Sequence, residues 1–446
     1  MSLPERVAVT LDRTAREKQH AWRVPGLLAA VVQGGEVAWW TGVGSADVAV
    51  PDTAPDPGTA FAIGSITKTF TATLVMRMRD AGALSLQDPL GKYLPELATR
   101  HADLPIRELL SHASGLQREP ASDIWDSLEI PSIDGLIADA AQAERVLPSR
   151  RRWHYSNLAF ALLGEVAARC AGTSWFDAVH AQLLQPLGMT GTALQPPDGR
   201  AIGYYVDPFA DRVKAEPWPD PAGFAAAGGL WSTATDLAKW AQFLAAGDDS
   251  VLAESTVEEM ARPEIMADLE GWTLAWGLGL ELARVGERVL VGHGGAMPGF
   301  LSGILVRRSD RTAAIVLCNS SADAAPVTLA GQLVATVLDE LPAVKKTWRP
   351  GPAVAIELEP VLGRWWSEGE PYAFSVRNGA LEARLEADPA GKAPAVFIRI
   401  DTDLYRGVSG REEGELLRLQ RRADGSVERL LWATYPVTRE PEVFGG

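Results

Sequence analysis

A serine and a lysine three residues apart, in the run Ser65-Ile66-Thr67-Lys68, have the residue types and spacing for acyl transfer. Positions i and i+3 of a helix share a face, which brings the amine within reach of the hydroxyl. A serine at its ordinary pKa is a poor nucleophile, and a neighbouring amine can take its proton. Gly64 lets the chain turn sharply, so Ser65 is expected at a helix N-terminus, where the dipole and free N–H groups favour developing negative charge. Spacing alone is weak evidence, because roughly 0.4 such pairs would arise by chance among the serines of this chain.

Further segments fit that serine. Trp153-His154-Tyr155-Ser156-Asn157 sets a phenol two residues before an amide, a pattern that chance supplies roughly 0.05 times here. A lysine ammonium nearby would favour the Tyr155 phenolate, letting Tyr155 accept the Ser65 proton and pass it to a leaving group. Asn157 offers donor and acceptor atoms to a substrate carbonyl or amide. In the run from Val291 to Phe300, glycines including Gly294 and Gly295 signal close approach of a ligand or another backbone. There the Ala296 N–H, beside that of Ser65, would form an oxyanion hole. His293 would donate to the substrate or hold the hydroxyl network.

Other segments read as supports. His112 and Ser114 are expected to cap the helix before them and fix the following loop. Gly228 to Asp236 reads as a tight turn with caps for the next helix. Trp125, Tyr204, Tyr205, Phe209 and Trp218 fall in loops that border any pocket, and are expected mainly to pack those loops.

The elements that must hold these groups follow from periodicity. A polar-faced helix spans 3–22, and strands at 27–32 and 37–41 are joined by the hairpin signal Gln33-Gly34-Gly35-Glu36. Apolar residues at helical spacing continue from Ser65 through Phe70, Leu74, Val75 and Met78. Residues 80–270 mix helices with Pro- and Gly-rich loops and show no steady strand alternation. Strands then return at 289–292, 300–307 and 312–318, followed by a helix from about 326 to 341. This order predicts an α/β (α+β) domain over 1–343, with one antiparallel sheet built from both ends and covered by helices. A linker is expected at 344–352. Asn378-Gly379 and Asp424-Gly425, between alternating runs, predict a small antiparallel sandwich or barrel over 353–446.

A net charge of −15, from 42 basic and 57 acidic residues, argues against nucleic acid or an anionic membrane as partner. The start of the chain has no signal-peptide pattern, and no stretch is long enough to span a membrane. Two distant cysteines, Cys170 and Cys318, read as buried thiols, which suits a reducing compartment, and a cytoplasmic location is the expectation. The six histidines are scattered, with no pair at i, i+4, which argues against a metal site. Neither a Gly-x-Ser-x-Gly elbow nor a Walker loop offers a rival chemistry.

Taken in order, Ser65-x-x-Lys68, Tyr155-x-Asn157 and His293-Gly294-Gly295 resemble the three motifs of the penicillin-recognising serine hydrolases. The branch resembled holds class C β-lactamases, D-alanyl-D-alanine carboxypeptidases, D-aminopeptidases and family VIII esterases. Phe61 to Phe70, Leu109 to Leu116 and Gly228 to Asp236 add to the likeness, which covers about residues 5–341. The resemblance implies an acyl-enzyme on the serine, proton traffic shared by lysine and tyrosine, and no metal or organic cofactor. It also implies a small ester, amide or peptide as substrate. The C-terminal part is similar in pattern to lipocalin-like barrels appended to some relatives.

One departure narrows the expectation. β-Lactamases usually carry Lys-Thr/Ser-Gly as third motif, whose lysine and hydroxyl hold the antibiotic's carboxylate. His293 and Gly294 stand there instead, a loss of about 2 to 4 kcal/mol of carboxylate binding. The expected activity is therefore hydrolysis of small esters or amides. The alternatives are a D-aminopeptidase or carboxypeptidase, a weak β-lactamase, a peptide-cyclising thioesterase, or a non-catalytic sensor on the same scaffold.

Overall fold

The computed structural model describes residues 3–50, 53–97, 100–321, 323–342, 347–351, 353–389 and 391–442. The chain divides into two compact units, Met1–Ala343 and Val344–Gly446. Of the expected linker, 344–346 and 352 lie outside the described residues, and 347–351 carry neither helix nor strand.

The first unit is built on an antiparallel sheet of eight strands. In chain order these are β1 (Gly26–Gln33), β2 (Glu36–Gly44), β3 (Ile265–Met266), β4 (Leu274–Trp276), β5 (Glu281–Val285), β6 (Arg288–Met297), β7 (Phe300–Arg307) and β8 (Thr312–Cys318). Their spatial order is β2-β1-β8-β7-β6-β5-β4-β3, so the strand nearest the N-terminus pairs with the last one. The period-2 pleat sends successive side chains to opposite faces. Leu27, Ala29 and Val31 meet α1 (Glu5–Trp22) and the C-terminal helix of the unit, Pro326–Glu340. Leu28, Ala30 and Val32 join a larger core with the remaining helices. Both faces are thus apolar and covered.

Two expectations change. The strand expected at 289–292 runs on through the glycines to Met297, because those glycines permit close packing without breaking the ladder. β3, β4 and β5 lie in or just after a region read as helix and loop; at two to five residues each, they are too short to show alternation.

Central to the helical side is α2 (Thr67–Asp80), buried on every face of its first three turns. Its threonines make this possible by spending their hydroxyls internally. Thr71 Oγ1 donates to the Ala226 carbonyl at 2.7 Å, and Thr69 Oγ1 accepts the Trp240 indole N–H at 2.9 Å. Phe70 stacks on Trp240 with centroids 3.8 Å apart.

The second unit is an up-and-down sheet of eight antiparallel strands from Gly363–Ser367 to Tyr435–Val437, each paired with its sequence neighbours. Asn378-Gly379 makes the turn between the second and third of them. Trp366 and Thr438 exchange backbone hydrogen bonds at 2.7 and 2.9 Å, which joins the two ends of the sheet into a barrel. Trp365, Phe374, Phe397, Leu417 and Leu430 fill it. Cys318 is buried and Cys170 half-buried, and both are free thiols. Among the described residues no helix is long and apolar enough to cross a membrane.

Candidate active site

Ser65 lies in a single 3-10 turn, Gly64–Ile66, that runs straight into α2. Gly64 enters that turn with φ of +49°, and a Cβ there would stand 2.5 Å from the Ala296 nitrogen. Only glycine satisfies both demands. On the other side, a Cβ on Gly295 would come within 2.0 Å of the Ile63 carbonyl oxygen. Ser302 Oγ donates to that same carbonyl at 2.9 Å. The two glycines and this bond press β6 against the Ser65 turn, which brings the Ala296 and Ser65 backbones side by side.

One helical turn on, Lys68 Nζ lies 2.9 Å from Ser65 Oγ and donates to the Ala227 carbonyl at 2.6 Å. Lys68 is fully buried. That burial drives its pKa well below the ordinary lysine range, with Arg118 pushing the same way and Glu119 opposing. The Tyr155 hydroxyl lies near Ser65 on the other side, close enough for Ser65 to act on its pKa, and its ring lies 5.1 Å from Lys68 Nζ. Burial raises the Tyr155 pKa, and the charges of Glu281 and Glu119 add to the rise, against the opposing pull of Ser65 and Arg118. Both shifts run against a pairing of lysine ammonium with phenolate. Burial disfavours both charges, moving the amine and the phenol on either side of the serine toward their neutral forms.

The loop 112–119 holds Tyr155 in place. The Ser156 N–H donates to His112 Nδ1 at 3.0 Å, the His154 N–H to the His112 carbonyl at 2.9 Å, and Ser156 Oγ to the Gln117 carbonyl at 2.7 Å. The His112 ring lies 4.3 Å from that of Tyr155. Because Nδ1 accepts, the proton of this buried imidazole sits on Nε2. Burial, followed by Lys68, holds its pKa well down. Ser114 Oγ accepts the Leu116 N–H at 3.3 Å within the same loop. Ser156 also caps the helix Asn157–Ala171, accepting the Ala159 N–H at 3.0 Å.

Asn157 Nδ2 donates to Glu119 Oε1 at 2.6 Å, so its donor is already engaged. Glu119 Oε2 has no hydrogen-bond partner at normal distance, though the Trp125 indole is near enough to favour the carboxylate. Burial nonetheless raises the Glu119 pKa.

His293 Nδ1 lies 2.5 Å from the Gly294 carbonyl oxygen. A carbonyl only accepts, so Nδ1 carries the proton and Nε2 is left as an unpartnered acceptor. Burial, then the Lys68 charge, lowers the pKa of this imidazole to about 3.

These groups open on one cleft of about 1060 Å³, lined by Ser65, Tyr155, Asn157, His293, Gly295 and Ala296. Trp153 and Trp276, 5.0 Å apart, form an aromatic wall. Of the loop aromatics, only Trp125 lines the cleft. Tyr204 is buried, with its hydroxyl donating to Asp47 at 2.9 Å, and Trp218 packs edge-on against Trp231. Tyr205 and Phe209 are exposed. Sequence reasoning missed Arg118, Glu119, Trp276 and Glu281, as well as the Ala227 carbonyl that holds Lys68. For Glu119 a signal existed, a carboxylate just beyond the Ser114-Gly115-Leu116 loop. A main-chain carbonyl leaves none.

The β-lactamase family model matches residues 11–339, and residues 354–439 match a family described as a domain of unknown function. β-Lactamase-like protein 2 of Dictyostelium discoideum is 31% identical over 256 residues, 54% of this chain and 46% of that protein. Esterase EstB of Burkholderia gladioli is 32% identical over 222 residues, 46% of this chain and 55% of its own. The chain thus spans about half the length of each of these relatives. The octameric penicillin-binding protein homologue from Pyrococcus abyssi shares the fold, with a TM-score of 0.68 and 24% identity over 96% of this chain and 99% of that one. D-amino acid amidase from Ochrobactrum anthropi SV3 has a TM-score of 0.63 and 25% identity over 74% and 99%. With a family match running from residue 11 to residue 339, over this sheet and these helices, the chain belongs to the β-lactamase family.

Proposed function

We propose that this protein is a serine hydrolase that acts on small esters or amides through an acyl-enzyme on Ser65. The observation that carries the reading is Ser65 Oγ held between Lys68 Nζ, at 2.9 Å, and the Tyr155 hydroxyl. A neutral amine is a competent base, and burial lowers the Lys68 pKa toward that form.

Lys68 takes the Ser65 proton as Oγ bonds to the substrate carbonyl carbon. The N–H groups of Ser65 and Ala296 stabilise the resulting oxyanion. As the intermediate collapses, the bond to the leaving group breaks and Tyr155 hands that group a proton, recovering one from the Lys68 ammonium. Water then attacks the ester on Ser65, and the same relay returns the proton to Oγ. Asn157 and Gly295 line the path of the acyl group. The esterase and D-amino acid amidase among the similar proteins support an ester or amide as the bond cleaved.

The test is intact-mass analysis after exposure to a fluorophosphonate, a p-nitrophenyl ester series and a fluorescent penicillin. A single adduct, with ester turnover that Ser65→Ala abolishes, is expected. Absence of any adduct would sink the enzymatic reading. A long-lived penicillin adduct without ester turnover would favour a peptidase or sensor.

A further inference from the structure

Glu281 opens β5 and pairs with Gly292 at the last rung between β5 and β6. Beyond that rung, the β6 edge from His293 to Met297 has no partner on the β5 side and borders the cleft. The Glu281 carboxylate lies near enough to the Gly294 N–H for that dipole to favour its charge, and close enough to Tyr155 for its charge to act on the phenol. Among the described residues no lysine or arginine pairs with it, and it lines the same cleft as Ser65. The remaining charges of that lining are Glu119, Asp126 and Glu216 against the single guanidinium of Arg118. Trp153 and Trp276 are aromatic residues of that lining, and aromatic linings suit organic cations.

In the β-lactamases that the chain resembles, the third motif meets the substrate's carboxylate. Here a carboxylate of the protein itself, that of Glu281, lies beside the Gly294 N–H at the centre of that motif. We propose that Glu281 is a specificity-determining residue, whose fixed negative charge at the third motif rejects anionic leaving groups and accepts those bearing an ammonium. This rests on the acyl-enzyme reading for its meaning in turnover, but the binding preference can be measured without turnover.

The experiment uses the full chain at pH 8.5 and three benzyl alcohols of similar size whose hydroxyls do not ionise: 3-(hydroxymethyl)phenyltrimethylammonium, 3-(hydroxymethyl)benzoate and 3-tert-butylbenzyl alcohol. Their binding is measured by calorimetry on Ser65→Ala, with and without Glu281→Gln. The corresponding acetates give kcat/KM on the protein with Ser65 intact. The cation should bind the Glu281 protein about tenfold or more tighter than the anion, the effect of one partly desolvated charge. Glu281→Gln should shrink the cation-to-anion ratio about tenfold, in binding and in kcat/KM alike, while the neutral compound moves less than about threefold. Equal binding of cation and anion before the substitution would overturn the proposal, as would a ratio that Glu281→Gln leaves unchanged. Loss of the acyl-enzyme reading would appear separately, as missing fluorophosphonate labelling of Ser65 with the binding preference intact.

Discussion

Glu281→Gln should make the protein more stable, and only where the carboxylate is ionised. Burial pushes the Glu281 carboxyl from its ordinary 4.5 up to about 7, with the Gly294 N–H pulling the other way. Between those values the folded state binds more protons than the unfolded state, so stability falls as pH rises through that window. By linkage the cost is under about 1 kcal/mol at pH 5 and reaches about 3 kcal/mol at pH 8.5. Glutamine keeps an oxygen for the Gly294 N–H and cannot ionise, so it removes the cost. The measurement is urea unfolding of wild type and variant at both pH values, followed by fluorescence of the 15 tryptophans. Subtracting one protein from the other cancels every other titrating group. The variant should gain about 3 kcal/mol at pH 8.5 and little at pH 5. A gain equal at both values, or a loss at pH 8.5, would refute the account of Glu281 as a charge held in the cleft at the expense of stability.

Two further outcomes follow from the packing around Ser65. Gly295→Ala puts a methyl 2.0 Å from the Ile63 carbonyl oxygen and 2.3 Å from Ser302 Oγ, so β6 must move away from the Ser65 turn. We expect about 3 kcal/mol of lost stability and a fall of about a hundredfold in kcat/KM, read by thermal melting and ester turnover; a variant that melts and turns over like wild type would disprove that contact. Tyr155→Phe removes the proton relay and leaves Lys68 beside Ser65 Oγ, so kcat should drop about 10² to 10⁴-fold while fluorophosphonate labelling persists. Full activity in that variant would remove Tyr155 from the proposed chemistry.

How much of this was legible in the sequence depended on how local each feature is. Ser65 and Lys68 share one helical turn, so their contact follows from α-helical geometry. The long strands β1, β7 and β8 announce themselves by continuous apolar runs, and β2 by its hairpin. β3 and β4 are two and three residues long, below the length at which alternation can be recognised, and Trp276 arrived with them. Glu281 starts a five-residue strand whose function depends on Gly294, thirteen positions away and brought near by a hairpin. Burial, which the sequence does not display, bears on the protonation states. Charges were assigned as if in water, and the complete burial of Lys68 makes desolvation the dominant influence.

The backbone bonds between Trp366 and Thr438 carry a consequence for how the second unit can be inherited. Joining the first strand to the residues just after the last brings the points of entry and exit together at one seam. A unit whose ends meet can be inserted into a chain, removed from it or permuted without threading a strand through a core. The same seam leaves no long open edge for strands of other chains to extend. Such a barrel closes on its own core, so its fold depends little on where its two ends are attached.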